Sequence, residues 1–443
     1  MRPTIISVSE SIITLCSGRK IRQQSNTIQY LDGTITNGIV VKGFTIALPY
    51  NYQGCEMTIK DKLVDSYRAN SLEPAKFRTD SKIKWYRTKV DKDLLGELMK
   101  TSDLHGLRQV ICQLGLFFVT GLLANSAAQK VSTTNWFWSM PLLIIALFVH
   151  GTNGPFMGLV AVHELCHKTP FRTKALNEFF LKLYAFISWS DYVWFRPSHV
   201  KHHQLTVHED YDGEVVLPMT ISMKDWKFWL GLLAWDPAVT WTTLRVTYER
   251  ATGHILSGDR GKDPSWYQHI LPDDNLRLRK EHRNWSRTLL LGHAIAAAVF
   301  IGTGNWFLVV VFTFGTQYCG WLGFLCGVPQ HFGLSSNVPD WRLCCRTYTC
   351  SWLPAFYYWN MQYHVEHHMF PAVPFYNLPR LRKAIIHDLP FAPHGLWNTW
   401  SHMLAVHKAQ LADPTYTFVP ELPGSTGHQV SDSVVELEAL LAT

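Results

Sequence analysis

Three groups of histidines are spaced as metal ligands on a helix would be. His163-Glu164-Leu165-Cys166-His167 sets two imidazoles at i and i+4, which on a helix share one face a turn apart. His199-Val200-Lys201-His202-His203 offers i, i+3 and i+4, and His364-Val365-Glu366-His367-His368 repeats that spacing. One HxxxH pair is common on structural helices. Two HxxHH triplets in the same chain are hard to reach by chance, and so many imidazoles buried together without a partner would be costly. Eight histidines exceed the three or four ligands of a tetrahedral zinc site, so two metal ions are implied. Imidazole suits iron, zinc, copper and nickel alike, so the residue type alone does not choose the metal.

The elements that must position these boxes are apolar. Four stretches approach the roughly 20 residues needed to cross a bilayer: about Val110 to Ala124, Trp136 to Val162, Leu289 to Ile301 and Trp306 to Cys326. The second is interrupted by Gly151-Thr152-Asn153-Gly154-Pro155. Short links join the first to the second and the third to the fourth, which predicts two hairpins. The Lys- and Arg-rich region 163–287 lies between them, so by the positive-inside rule that region and both termini face the cytoplasm. His163 then follows the exit of the second span at once. His331, in Val328-Pro329-Gln330-His331-Phe332-Gly333, follows the exit of the fourth. Both exits are on the same side as the other two boxes, as a shared site requires, and His331 joins the candidate ligands on that ground. The expected fold is an all-α integral membrane protein, with four transmembrane helices in two hairpins capped by a cytosolic helical domain that holds a dinuclear metal site.

Composition agrees with a protein only partly in lipid. Of the 443 residues, 47% are hydrophobic and 17% charged, against the usual charged share of about 25%, while the mean hydropathy is −0.02. The net charge of +7 is dispersed, without the basic run expected of a nucleic-acid partner, and fits a face against anionic headgroups. The nine cysteines include no CxxC, and the trio Cys344, Cys345 and Cys350 could bind a metal but lacks zinc-ribbon spacing. They are expected to be reduced structural thiols, which points to cytosol-facing chemistry.

The expected organisation is an irregular N-terminal segment over 1–56, a cytosolic N-terminal region over 57–108, the catalytic membrane domain over 109–395 and a C-terminal region over 396–443. Met1 to Ser25 has no apolar core of a cleaved signal peptide, and Met57 is a candidate native start. Trp226, Trp229, Trp235 and Trp241 mark region 226–246 as an interfacial helix. The run Leu378-Pro379-Arg380-Leu381-Arg382-Lys383 reads as a short basic helix lying on the membrane. The tail from Pro414 reads as loose, with a helical tip at Val434–Leu441.

The three boxes resemble those of the membrane fatty acid desaturase and hydroxylase superfamily, over about residues 80–395. The resemblance implies two irons at the cytosolic mouth of four spans. It implies nine ligands: His163, His167, His199, His202, His203, His331, His364, His367 and His368. The Asn that often stands four residues before the ninth histidine in that family is Gly327 here. The HxxxH spacing of the first box and the lead Trp194 to Ser198-His199 are similar to acyl-lipid desaturases. His163-Glu164-Leu165-Cys166-His167-Lys168-Thr169 and Gln330-His331-Phe332-Gly333-Leu334 are similar to alkane hydroxylases. His364 stands where front-end desaturases carry Gln, and their HPGG motif of a fused cytochrome b5 is not found.

The activity implied is O2-dependent attack on an sp³ carbon of a lipid or lipid-like substrate. Loss of a second hydrogen gives an alkene, and oxygen rebound gives an alcohol. Electrons would come from a separate protein, such as cytochrome b5 or ferredoxin with an NAD(P)H reductase. The setting would be the endoplasmic reticulum in a eukaryote or the inner membrane in a bacterium. Glu164, Glu366, Asp210 and Asp212 are candidates to hold ligand rings from behind; His208 could join the site but reads as a bystander, and His254, His282 and His402 read as structural.

His163-Glu164-Leu165-Cys166-His167 is also HExxH, the zinc-protease signature with Glu as general base. An intramembrane zinc protease needs one metal and no further boxes, so it leaves both HxxHH triplets unexplained. A non-enzymatic metal sensor is weaker still. Two irons per chain against one zinc separates these readings.

Overall fold

The chain divides into two units, Met1–Leu72 and Glu73–Thr443. The computed structural model describes residues 82–217, 219, 221, 225–254 and 264–423, together with the backbone of six short strands in the first unit. The Met57 start and the tip at Val434–Leu441 lie outside the described residues.

The strands are β1 (Thr4–Val8), β2 (Ser11–Leu15), β3 (Ile21–Gln24), β4 (Thr27–Tyr30), β5 (Ile39–Val41) and β6 (Phe44–Ile46). They form one sheet in the order β4-β3-β1-β2-β5-β6, in which only the β1–β3 pair is parallel. The all-α expectation therefore applies to the second unit alone. Runs of three to five residues rich in Ile, Val and Thr are too short for helical periodicity and suit strands.

The second unit is helical. Its first half holds α1 (Lys92–Leu98), α2 (Asp103–Gln129), α3 (Trp136–Asn153), α4 (Val162–His167), α5 (Lys174–Ile187), α6 (Tyr192–Leu205), α7 (Trp226–Leu233) and α8 (Pro237–Thr252). The rest holds α9 (Pro264–Ile270), α10 (Leu276–Gly302), α11 (Trp321–Gly327), α12 (Trp341–Cys344), α13 (Trp352–Tyr357), α14 (His364–Met369), α15 (Leu378–Ile385) and α16 (Gly395–Ala412).

Among the described residues, three helical stretches are long and apolar enough to cross a membrane: Asp103–Gln129, Trp136–His167 and Leu276–Gly302. Their outward faces carry exposed apolar side chains such as Ile111, Leu122, Ile145, Ile295 and Val299, as a lipid-facing surface requires. The second stretch does not stop at Gly151-Pro155. It runs on through a π-helical turn, Met157–Ala161, into α4. Such turns insert one extra residue per turn and recur at functional sites; here it lies immediately before the first box.

The fourth apolar stretch departs from expectation. It is no single helix but a π-helical turn at Val309–Thr313, a break over 314–320, and then α11. The reason is a backbone crossing. A Cβ on Gly154 would lie 2.3 Å from the Gly315 carbonyl, so only glycine lets the two chains approach. The carbonyls released by the break find side-chain donors. His150 Nε2 is 2.6 Å from the Val311 oxygen, and Trp189 Nε1 donates to the Thr313 oxygen at 2.7 Å. Re-satisfaction of this kind is what permits a broken helix in an apolar setting.

Region 226–246 is likewise two helices rather than one, because Asp236 caps α8 by accepting from the Ala238 N–H. Trp226, Trp235 and Trp241 are exposed while Trp229 packs on Phe324, which suits an interfacial surface. The basic helix α15 buries Leu378, Leu381 and Ile385, and its Arg382 turns inward to Glu366.

Candidate metal centre

Two helices and one short turn of helix carry the boxes. In α4, residues His163 and His167 stand one turn apart, and the helix ends at Lys168 in the left-handed region. In α6, His199, His202 and His203 occupy the last two turns. That helix is anchored at its start by Asp191, whose side chain accepts from the Trp194 N–H. In α14, His364, His367 and His368 occupy nearly the whole element. His331 follows α11 through one 3-10 turn at Val328–Gln330, and its Nδ1 donates to the Cys344 carbonyl at 2.8 Å.

These four stretches converge. His163, His167, His199, His203 and His367 form one group, and His331, His364 and His368 with Cys345 form a second. Within each, the candidate ligand atoms all lie within 4.8 Å of one another. His202 sits beside the second group, its ring 4.9 Å from His368 and 5.3 Å from His331. His203 and His368 stack at 4.2 Å across the two groups, so the pockets adjoin. All nine histidines expected as ligands are thus brought together.

The geometry of the inner nitrogens tests whether metal fits. In the first group Nε2 atoms of His167 and His199 are 3.1 Å apart, those of His199 and His203 3.0 Å, and those of His203 and His367 3.1 Å. In the second, His331 and His364 stand 2.9 Å apart and His364 and His368 3.0 Å. Two ligands at right angles, each about 2.1 Å from one ion, stand roughly 3.0 Å apart. In four of the nine rings the outer nitrogen holds the proton. His199 Nδ1 donates to Glu214 and His202 Nδ1 to Asp212, each at 2.7 Å. His331 Nδ1 is committed to Cys344, and His368 Nδ1 lies 3.2 Å from Thr206 Oγ1. The Thr206 hydroxyl donates to the His202 carbonyl, so its oxygen is free to accept from His368. The inner nitrogens of these four rings then present lone pairs toward the centre, as metal ligands do. The residues fit a pair of metal ions.

Burial, with the neighbouring imidazoles adding to it, holds His199, His203, His364, His367 and His368 well below the usual histidine value. Burial likewise pushes His331 down to about 3. All are therefore neutral near pH 7, the form that binds a metal.

The carboxylates expected behind the rings divide. Asp212 is buried on His202 and also accepts the Val207 and Glu214 N–H groups. Burial opposes its charge, yet His202 and these hydrogen bonds hold it below the usual carboxylate value. Glu164 lies 3.2 Å from His163 Nδ1 and 3.5 Å from His367 Nδ1.

Glu366 does not reach a ring. It accepts from Arg382 at 2.7 Å and, through its other oxygen, from the Thr347 hydroxyl, so it pins the third box to α15. Asp210 is exposed and makes no hydrogen bond to an imidazole: the turn it occupies, with φ +64°, carries it outward. Glu214, which sequence reading missed, takes the place expected of Asp210. It grips His199, and its other oxygen accepts from Ser198 at 2.6 Å. Its signal in the sequence was slight, an acid two residues past Asp212 in the same acidic turn.

The bystander histidines lie elsewhere. His208 Nδ1 turns to the Thr206 carbonyl, His254 is exposed beside Thr252, His282 pairs with Asp191 at 2.7 Å and His402 packs on Phe418. All seven described cysteines are free thiols. A family model described as fatty acid desaturase matches residues 135–400, a span that holds all nine histidines. No curated protein matches the chain.

Proposed function

The chain belongs to the fatty acid desaturase family, and from that membership we propose that it is an O2-dependent di-iron oxidoreductase acting on an aliphatic chain of a lipid or lipid-like substrate, introducing a double bond. The observation that carries the reading is the convergence of nine imidazoles from four stretches of chain, with their inner nitrogens face to face. A bound iron pair, reduced by an external donor such as cytochrome b5 or ferredoxin, would supply the oxidising power that no amino-acid side chain has.

The chain's own residues do the rest. His163, His167, His199, His203 and His367 would hold one ion, and His202, His331, His364 and His368 the other. Asp212, Glu214 and the Cys344 carbonyl fix ring tautomers from outside, which sets ligand orientation and basicity. Burial of the cluster keeps bulk water from the reacting carbon.

In the membrane we propose four crossings in two hairpins. The fourth is discontinuous at 314–320, and the centre lies on the cytosolic side, as the Lys- and Arg-rich region 163–287 favours. Expression in a yeast lacking its own desaturase, with mass spectrometry of lipids and metabolites, tests the activity. A new double bond is the expected product. A new hydroxyl would move the chain to the hydroxylase branch, and an unchanged profile from iron-replete protein with a reducing partner would overturn the reading. His202→Ala or His367→Ala should abolish turnover while the protein still inserts.

A further inference from the structure

The two pockets are not chemically alike. The first gathers only imidazoles, whereas the second includes a sulfur, the buried Cys345 thiol, among His331, His364 and His368. Resting on the metal-centre reading above, we propose that Cys345 is a ligand of the second metal ion, giving that pocket a thiolate beside its imidazoles.

A thiolate about 2.3 Å and an imidazole about 2.1 Å from one ion stand no more than roughly 4.4 Å apart, even on opposite sides of it. The 4.8 Å limit on the donor atoms of this pocket leaves only a small adjustment for sulfur to bind. The thiol is 1% exposed, so it meets the pocket and not solvent.

Its backbone is also tied to that of His331. His331 Nδ1 donates to the carbonyl of Cys344 at 2.8 Å, and the Arg346 N–H donates to the Gln330 carbonyl at 2.7 Å. The Arg346 guanidinium donates from Nη1 to the Pro329 and Phe332 carbonyls at 2.6 and 3.0 Å. Four hydrogen bonds thus clamp the residues flanking Cys345 onto those flanking His331, and the sulfur and the ring are presented together. The residue between two such anchors is held far more firmly than packing of a small apolar side chain needs.

A bound ion would itself set the charge of this sulfur. Thiolate is a soft donor and a cation beside it deprotonates it. Cys344, whose sulfur is 4.0 Å from that of Cys345, is outside the donor group and serves through its carbonyl.

The test loads detergent-purified full chain with cobalt(II), whose sulfur-to-metal charge-transfer absorption reports a thiolate ligand apart from any activity. Two cobalt ions per chain, with that absorption lost in Cys345→Ser and kept in Cys344→Ser, is the expected result. Two cobalt ions without the absorption, or its loss in Cys344→Ser alone, would overturn the thiolate ligand and leave the histidine centre standing. No tight cobalt or iron binding at all would overturn both. If Cys345→Ser does not accumulate, X-ray absorption on zinc-loaded wild type reads the same bond. A sulfur shell at about 2.3 Å supports the proposal, and nitrogen and oxygen shells alone refute it.

Discussion

Two buried clusters in this molecule are built from the same residue types and come to opposite ends. Around Asp191, a carboxylate meets His282 at 2.7 Å, the Tyr267 hydroxyl at 3.1 Å and Arg250 at 3.7 Å, and Arg250 also lies over the Tyr267 ring. There the carboxylate is the centre and the donors point at it. Around the histidine boxes the carboxylates stand outside, on Nδ1 of His199 and His202, and the centre consists of nitrogens facing nitrogens. The first cluster closes on itself and fixes the start of α6 to α8, α9 and α10. The second is closed only on its outer side. Burial and histidine content do not separate a structural cluster from a binding one; the direction of the donors does.

Removing one member of each cluster should have opposite consequences. His203→Ala takes a ring from the middle of the Nε2 chain that joins His199 to His367. It should eliminate product formation and lower metal content, with helicity and membrane insertion retained. Asp191→Asn should do the reverse. It removes a buried carboxylate that both His282 and Arg250 face, a loss of about 3–5 kcal/mol of stability, while protein that folds still carries its full metal complement.

Acid titration adds to the second case. Burial works against the Asp191 charge, but His282 and Arg250 hold its carboxyl at about 2, below the ordinary aspartate value. A depressed carboxylate contributes its full stability above the unfolded value and loses it as pH falls toward 2. Thermal melts of wild type between pH 4 and 2 should show this acid limb, and Asp191→Asn should lack it. Metal loss in Asp191→Asn comparable to that in His203→Ala would erase the distinction.

A smaller effect is expected where a carboxylate touches a ring from outside. Glu214→Gln weakens the hold on His199 without removing a ligand, and roughly a 10–100-fold loss of metal affinity follows, about 1.4–2.7 kcal/mol. Competition against a chromophoric chelator measures it. A loss as large as that of His203→Ala would mean that Glu214 is itself a ligand.

Much of this centre is legible in the sequence. The i, i+3, i+4 spacing fixes three rings to one helical side whatever surrounds them, so both HxxHH boxes and the HxxxH pair could be read directly. His331 was legible for a different reason, its position at the end of an apolar stretch that had to exit beside the first box. The break at 314–320 was not legible, because an apolar run says nothing of Gly154 meeting the Gly315 carbonyl from a distant part of the chain. Cys345 was passed over because ligand spacing along the sequence is informative only within one element, and its partners lie on α14 and before α12. The strands of the first unit were hidden by their brevity.

Asp210 and Asp212 show where that legibility ends, and they give the smallest expected effect. Both are aspartates just past the second box, and nothing in the sequence prefers one. In the structure the chain turns at Asp210, whose φ of +64° lies in the left-handed region, and its side chain is exposed. Two residues on, Asp212 is 3% exposed and bonded to His202. Asn adopts left-handed backbone as readily as Asp, so Asp210→Asn keeps the turn and should change stability by no more than about 0.5 kcal/mol. Activity and metal affinity should be those of wild type. Asp212→Asn differs in kind, because an amide in place of the carboxylate weakens the charge-assisted bond that orients His202, and it should behave as Glu214→Gln does. The pair is informative because the chemistry of the substitution is identical at both sites. Only the direction in which each side chain points differs, so equal effects from the two would remove the ground for assigning any outer carboxylate a part in the centre.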